Sequence, residues 1–350
     1  MIAGKEDNTM DHNIRINGLP AKTWNHMEIN DAPVQWEPGM PLTPVFQQGT
    51  GFRTDGAPKI PTGAGSAADE IFTNGPIWAV EAAAGETKEE LVNLSAEQGT
   101  QGTAVLRLIA GAGSHLTVYT HMRGGENSQA AVRLLLQVEK DAVLRLVELL
   151  EPGQGGRMLH DVGGVCGENA QVALLHLYLG RGDLYSGCRM ELIGSGSGLR
   201  YEAGYLEQNA QKLDVNLIAN HIGAHTTSQI RADGTLKDSG EKTFRGTIDF
   251  KRGAKGAAGS EQENVLLLGE HVVNKTIPLI LCAEEDVQGD HGATIGELDE
   301  ETLFYFAARG IAPLEAENLL SRAKLERLGE AMGREDMVEA ARAAIEEVLG

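Results

Sequence analysis

Short runs of alternating apolar and polar residues, separated by turn residues, fill most of the chain between residues 77 and 282. Side chains at every second position are apolar in two of the clearest runs, with Leu106, Leu108 and Ala110 in one and Val132, Leu134, Leu136 and Val138 in the other. This period is typical of β-strands, because successive side chains of a strand point to opposite faces. Residues 142–151 also fit the helical period, so strand and helix both remain open there. The pattern predicts a mainly β protein.

The order of these strands limits the possible architectures. No clear run of helices separates them, which argues against a doubly wound α/β fold, because that fold needs crossover helices. An antiparallel sandwich and a solenoid of stacked strands both remain open. Several strands are apolar on both faces, and the turns recur irregularly without a visible repeat period. The hydrophobic pattern by itself does not choose between the two.

A helical pattern replaces the strands near residue 297. Asp299 stands at the N-cap position of a predicted helix, Glu300 and Glu301 supply negative charge to its first turn, and Gly310 ends it. Pro313 opens a second helix, and a break at residue 333 precedes a third. We therefore expect a C-terminal helical region over residues 297–350.

The first 76 residues show little periodicity. Residues 1–13 are polar and are expected to be disordered, whereas residues 19–40 carry enough apolar side chains for a small docking element. Residues 46–75 are rich in glycine, proline, threonine and serine, as is typical of a long loop or extended arm. The chain thus divides into an N-terminal arm and docking region (1–76), a strand-rich core (77–296) and the helical region (297–350).

Composition and charge narrow the class of protein. A formal charge of −20 argues against nucleic acid and anionic membranes as partners. The three cysteines are widely spaced and odd in number, so they indicate no disulfide framework. The first residues lack the apolar core of a signal peptide, and no apolar run approaches the roughly 20 residues of a spanning helix. We expect a cytoplasmic protein.

A thiol, an imidazole and several carboxylates fall close together between residues 282 and 291. Cys282 and His291 are the residue types that bind iron, zinc or iron–sulfur clusters, and Glu284 and Asp290 lie beside them. The alternative is structural, with Cys282 as a buried small hydrophobe and His291 as a turn residue within the segment 289–294. Spacing alone does not decide between these interpretations.

Other motifs point away from catalysis. His221 and His225 have the spacing of a metal pair on a helix, but Asn220 and Gly223 favour strand and turn, so a structural role is expected. No phosphate-binding loop, nucleophile elbow or zinc-protease motif is present. We therefore expect that the protein is not an enzyme. The alternative is a β-solenoid enzyme that acts on a polymer or small acid through carboxylates such as Asp183, Glu191 and Asp249.

Three segments resemble the SufB/SufD family of iron–sulfur cluster assembly scaffolds. They are HGATIGELDEETLFYFAARG (residues 291–310), FRGTIDFKRGAKGAAGSEQENVLLL (244–268) and LPAKTWNHMEIN (19–30). The resemblance implies a right-handed parallel β-helix core flanked by helical terminal regions. It also implies that the helices after Asp299 cover an open end of the β-helix.

The resemblance further implies a function and partners. A family member holds iron and sulfide while a transient iron–sulfur cluster forms, and then passes the cluster on. Its partners are a SufC-like ABC-type ATPase, docked on the C-terminal helical region, and a related SufB/SufD-type subunit in a homodimer or heterodimer. We expect Phe304, Tyr305 and Arg309 to contribute to the ATPase-binding surface, with core packing as the alternative for Phe304.

The family position points to His291 as a ligand of iron or of a nascent cluster. Chemistry and proximity add Cys282 as a thiolate ligand, with Glu284 and Asp290 as auxiliary oxygen ligands. The sequence also departs from its relatives, because SufD-type chains often have cysteine where this chain has Gly289. One chain offers too few soft ligands for a cluster, so a second copy is expected to complete the site.

Overall fold

The computed structural model describes residues 13–22, 25–37, 39–56, 58–73, 75–298 and 300–350. Strands account for 52% of the chain and helices for 15%, arranged as a parallel β-solenoid of about eight turns with a C-terminal helical region. The predictions of a mainly β protein and of a parallel β-helix core are confirmed. Residues 143–151, whose sequence fits both periods, form a strand.

Strands that alternate along the chain belong to two parallel sheets that face each other. One sheet contains β6 (Ile77–Ala82), β8 (Gln101–Ala110), β10 (Gln129–Val138), β12 (Arg157–Cys166), β14 (Asp183–Leu192), β16 (Lys212–His221), β18 (Glu241–Phe250) and β20 (Val273–Cys282). The other contains β7 (Thr87–Ala96), β9 (His115–Gly124), β11 (Val143–Glu151), β13 (Gln171–Tyr178), β15 (Gly198–Glu207), β17 (Thr227–Lys237), β19 (Ala257–Leu268) and β21 (Val287–Gly296). Each strand therefore pairs with the strand two places along the chain.

The repeat is hidden in the sequence because its length changes along the solenoid. Register partners on adjacent coils lie 28 residues apart at Thr120 and Glu148, but 26 apart at His160 and Ser186 and 32 apart at Phe250 and Cys282. The strands keep their register while the turns between them absorb the difference. A search for a constant period consequently finds none.

The core consists of the side chains that point between the two sheets. Leu106, Leu134, Val162, Cys188 and Leu217 are register partners on successive coils and form one buried ladder. Burial of one such aliphatic side chain stabilises the fold by about 1.5–3 kcal/mol. Alternation along each strand thus becomes a continuous apolar interior.

The N-terminal region packs on the outer face of the sheet that contains β6 and also adds short strands to both sheets, since residues 52–54 pair with β6 and residues 45–46 pair with β7. It forms β1 (Asn13–Ile16), β2 (Ala32–Gln35), β3 (Met40–Pro41), β4 (Val45–Phe46), β5 (Phe52–Thr54) and a 3-10 helix (Ser66–Phe72). Ile16 and Trp36 pack against Leu159 and Tyr185 of the solenoid. Within residues 46–75, interpreted from the sequence as a long loop or extended arm, regular structure is limited to the end of β4, the short strand β5 and the 3-10 helix.

The C-terminal helices are α1 (Glu300–Ala307), α2 (Pro313–Ala331) and α3 (Glu335–Leu349). Leu328 of α2 and Ile345 of α3 pack against Val147 and Leu177 on the outer face of the sheet that contains β7. The expectation that these helices cover an open end of the β-helix is wrong, because α2 and α3 lie along its side and β21 is exposed along nearly its whole length. Asp299, the predicted N-cap, lies outside the described residues.

Candidate functional site

The last coil of the solenoid, formed by β20 and β21, is an open end. Both strands are the edges of their sheets, so each presents unpaired backbone groups to solvent. Cys282 and His291 are register partners of Phe250 and Glu261, whose side chains are buried between the sheets. Register partners in parallel strands point the same way, so Cys282 and His291 both lie on the inward-facing rows of this exposed coil.

Cys282 and His291 are nevertheless far apart within one chain. The predicted turn at residues 289–294 is wrong, because β21 is extended from Val287 to Gly296 and the turn occupies residues 283–286. Gly289 faces Ile280 across the coil, since a Cβ atom added there would lie 3.3 Å from Ile280 Cδ1. Cys282 lies two residues to one side of this contact, and His291 lies two residues to the other side. At about 3.3 Å per residue, the two are roughly 13 Å apart along the strands. They do not share one metal ion within a chain.

The two predicted auxiliary ligands are directed elsewhere. Glu284 lies in the turn, where its carboxylate accepts hydrogen bonds from the backbone N–H groups of Gly253 and Glu285, each at 3.0 Å. These bonds lower the pKa of Glu284. Asp290 is the register partner of Ser260 and therefore points to the face opposite His291. Neither carboxylate is brought together with the imidazole.

A buried acidic group lies beneath His291. Glu261 is 4% exposed, and its carboxylate packs against Gly246 of the opposite sheet. Burial, and then repulsion from Glu263, raises the pKa of Glu261 to about 8, although Lys242 opposes the shift. A carboxyl group that holds its proton at neutral pH therefore lies on the coil directly below the exposed imidazole.

The interior next to Glu261 is polar and tightly paired. Glu263 forms a buried ion pair with Lys242 and accepts hydrogen bonds from Thr276 Oγ1 at 2.7 Å and from the Tyr205 hydroxyl at 3.0 Å. Sequence reasoning missed these residues. The signal in the sequence is the period of two in this strand. Glu261 and Glu263 stand at positions of the same parity as Ala257 and Val265, so all four side chains point inward.

His221, the buried member of the pair His221 and His225, has protein partners on both ring nitrogens. His221 Nδ1 lies 2.8 Å from Thr226 Oγ1 and His221 Nε2 lies 2.9 Å from Ser228 Oγ. His225 lies in a turn with a φ of 56°. These positions are those of structural residues, as expected from the sequence.

Helix α1 carries the residues predicted to bind a partner. Phe304 is 74% exposed and Tyr305 is 53% exposed, so core packing of Phe304 is excluded. The Arg309 guanidinium stacks on the Tyr305 ring at 3.5 Å from its centroid and donates to the Tyr305 carbonyl oxygen at 3.0 Å. The helix has no buried residue. It therefore presents aromatic and cationic side chains to solvent.

The carboxylates of the alternative enzyme do not converge. Glu191 and Asp249 lie on the outer face of one sheet, on the strands to either side of Asn220 and in register with it. Glu191 forms an ion pair with Arg189, and Asp249 forms one with Lys251. Asp183 lies at the other end of the same strand as Glu191, about 26 Å away at 3.3 Å per residue.

In the described part of the chain, no helix is long and apolar enough to cross a membrane.

Comparisons with known proteins identify relatives of this chain. The family model for the SufBD core domain of SUF-system FeS cluster assembly matches residues 93–324, about two thirds of the chain. The iron–sulfur cluster assembly protein SufD of Bacillus subtilis is 34% identical over 100 residues, which cover 29% of this chain and 23% of the relative. SufD of Escherichia coli is 28% identical over 147 residues, 42% of this chain and 35% of the relative.

A further relative is the SufBD family protein slr0074 of Synechocystis, 27% identical over 158 residues, 45% of this chain and 33% of the relative. Each of these alignments therefore spans only about a quarter to a third of the curated relative. The family model, by contrast, covers most of the solenoid and reaches into α2. The chain belongs to the SufB/SufD family of the SUF iron–sulfur cluster assembly system.

Proposed function

We propose that this protein is a scaffold, rather than an enzyme, that holds iron and sulfide at the open end of its solenoid while a cluster forms. The observation that carries the proposal is the exposure of His291 on the inward row of the last coil. An imidazole in this position has a free approach from solvent, and imidazole suits iron. The cluster is the cargo of the scaffold and is passed on to a recipient.

The ligand supply supports a site shared between two subunits. Cys166 and Cys188 are buried in the core, and burial raises the pKa of both thiols. Cys282 is exposed, and its Sγ donates to the Glu284 carbonyl oxygen at 2.9 Å. Since iron–sulfur clusters commonly take about four protein ligands, one chain with one exposed thiol and a distant imidazole is insufficient.

The open edges of β20 and β21 favour a second subunit as the source of the remaining ligands. Exposed strand edges are templates for pairing with another chain. A homodimer places each residue of the edge twice around a two-fold axis. A related SufB/SufD-type subunit provides the same type of edge in a heterodimer. We infer a dimer across this end, with His291 and Cys282 of both subunits near the interface.

The exposed surface of α1 supports the second proposed partner, a SufC-like ABC-type ATPase. Aromatic rings and arginine are enriched among the residues that dominate binding interfaces. The stacking of Arg309 on Tyr305 holds both side chains in place before a partner arrives. ATP hydrolysis is then supplied by the partner.

Anaerobic reconstitution with ferrous iron and sulfide tests the function. We expect wild-type protein to turn brown and His291→Ala to lose most of its iron and sulfide per chain. His271→Ala is the matched control, since His271 is also exposed but lies in the turn before β20. Full cluster content in His291→Ala contradicts the proposal. Normal content in Cys282→Ser, with loss in His291→Ala, removes only the thiolate from the site.

A further inference from the structure

Three buried side chains inside the solenoid bring one potential ligand atom each close together. Glu148, His160 and His176 are all 0% exposed, and the ligand atoms they offer lie within 4.8 Å of one another. Glu148 Oε2 lies 2.8 Å from His160 Nε2 and 3.0 Å from His176 Nε2. None of these three atoms has a hydrogen-bond partner, despite the short distances. Close approach without an aligned hydrogen bond fits the arrangement of ligands around an ion.

The opposite side of each imidazole is already held. His160 Nδ1 lies 3.0 Å from Ser186 Oγ, and His176 Nδ1 lies 2.8 Å from the Tyr178 hydroxyl. Histidines that bind metal usually donate their other ring N–H to an acceptor, most often a carboxylate, a backbone carbonyl or water, which fixes the tautomer and the ring orientation. The two hydroxyl oxygens are able to act as such acceptors here. With the protons on Nδ1, the Nε2 lone pairs of both rings face the carboxylate oxygen. A cation among the three atoms turns this repulsion into attraction.

The surroundings strengthen the case for a positive charge. Glu148 lies in an inward row between Leu146 and Leu150, and Thr120 Oγ1 donates to its Oε1 at 2.6 Å. Burial of a carboxylate in an apolar interior costs several kcal/mol unless the charge is paired. No lysine or arginine forms an ion pair with Glu148 among the described residues. The two imidazoles are the partners that the structure provides.

We propose that Glu148, His160 and His176 bind a resident divalent first-row transition-metal ion inside the solenoid. Two imidazoles and one carboxylate are a ligand set of zinc and non-haem iron sites. Ligand atoms about 2.1 Å from a metal ion are about 3.4 Å apart in a tetrahedral site and about 3 Å apart at right angles. The two Nε2–Oε2 distances of 2.8 and 3.0 Å therefore fit the right angles of a six-coordinate site better than a tetrahedron. Because Glu148 and His176 belong to one sheet and His160 to the other, the ion joins the two sheets.

This site is separate from the proposed cluster site. It lies on β11, β12 and β13, whereas His291 lies on the last coil. The ion is buried and stays with the protein, whereas the cluster is assembled and released. A failure to assemble a cluster at His291 therefore leaves the buried metal site unaffected, and the absence of a buried metal ion leaves the proposed cluster site unaffected.

Cobalt is a suitable probe, because Co²⁺ replaces first-row divalent ions and absorbs visible light. The full-length protein is expressed in minimal medium with Co²⁺, since the site is buried and must fill during folding. A chelator wash of the native protein then removes ions from exposed residues such as His291. We expect about one chelator-resistant Co²⁺ per chain, and a fall of at least tenfold in Glu148→Gln and His176→Gln.

The matched control is His221→Gln, a second buried histidine on an inward row whose two ring nitrogens have other partners. It is expected to keep the cobalt, while circular dichroism establishes that each variant is folded. X-ray absorption of the wild-type protein is expected to show two imidazole ligands and no sulfur, which tests the site even where a variant does not fold. Wild-type protein without bound Co²⁺, full content in a folded Glu148→Gln protein, or a sulfur ligand overturns the inference.

Discussion

Glu261 lies directly beneath His291 in the register of the last two strands of one sheet, the carboxyl group buried and the imidazole exposed. Its pKa is raised to about 8, whereas in the unfolded chain the group has its ordinary value of 4.5. Between these pH values the unfolded chain binds fewer protons than the native protein. The free energy of unfolding therefore falls as pH rises through this window and levels off above about pH 8.

Glu261→Gln is expected to remove this pH dependence. The variant should match wild type near pH 4.5 and become more stable than wild type as pH rises to 8, by at most about 5 kcal/mol. Urea denaturation of the metal-free proteins at several pH values measures the difference. A difference that does not grow with pH would show that the buried carboxyl titrates normally.

Removal of one partner of the buried Lys242–Glu263 pair is expected to be costly. Lys242→Met leaves the carboxylate of Glu263 without its cation, which should lower the free energy of unfolding by about 3–5 kcal/mol. The double variant Lys242→Met with Glu263→Gln should recover part of this loss, because no unpaired charge remains. Equal destabilisation in the single and double variants would argue against an ion pair.

Gly187 is expected to be required for docking of the N-terminal region. A Cβ atom at Gly187 would lie 2.1 Å from the backbone nitrogen of Ala64. Because the contact is with a backbone atom, no side-chain movement relieves it. Gly187→Ala should therefore displace residues 60–64 and expose this region to limited proteolysis. Gly292→Ala, whose added Cβ atom meets nothing within 4 Å, is the control. Unchanged protease resistance in Gly187→Ala would contradict the prediction.

The α1 surface is expected to bind the ATPase. Tyr305→Ala with Arg309→Ala should weaken the affinity for a SufC-like ATPase by tenfold or more, since interface anchors of these types contribute about 2 kcal/mol or more. Calorimetric titration measures the affinity, and a thermal melt establishes that the fold is unchanged. Arg322→Ala on α2 is the control, because this arginine forms an ion pair with Glu346 of α3 and does not belong to the α1 surface. Unchanged affinity in the double variant would reject α1 as the docking surface.

The sequence predicted the regular elements more successfully than the site. Alternation at Leu106 and Leu134 identified strands, and Pro313 marked the start of a helix, because both features depend on residues close in the chain. The predicted grouping of Cys282 with His291 and Asp290 failed for a different reason. It required a turn at residues 289–294, whereas the extended β21 separates the side chains and sends Asp290 to the other face.

What the sequence by itself determined is local: which segments are strands, where the C-terminal helices lie, and which chemical groups the chain contains. Only the tertiary structure decided that each strand pairs with the second strand along, because this depends on coil lengths that vary from 26 to 32 residues. That pairing stacks Glu148 on His176 and places His160 opposite them. It also places α2 and α3 on the side of the solenoid, where their apolar faces find Val147 and Leu177, and leaves His291 exposed at the open end.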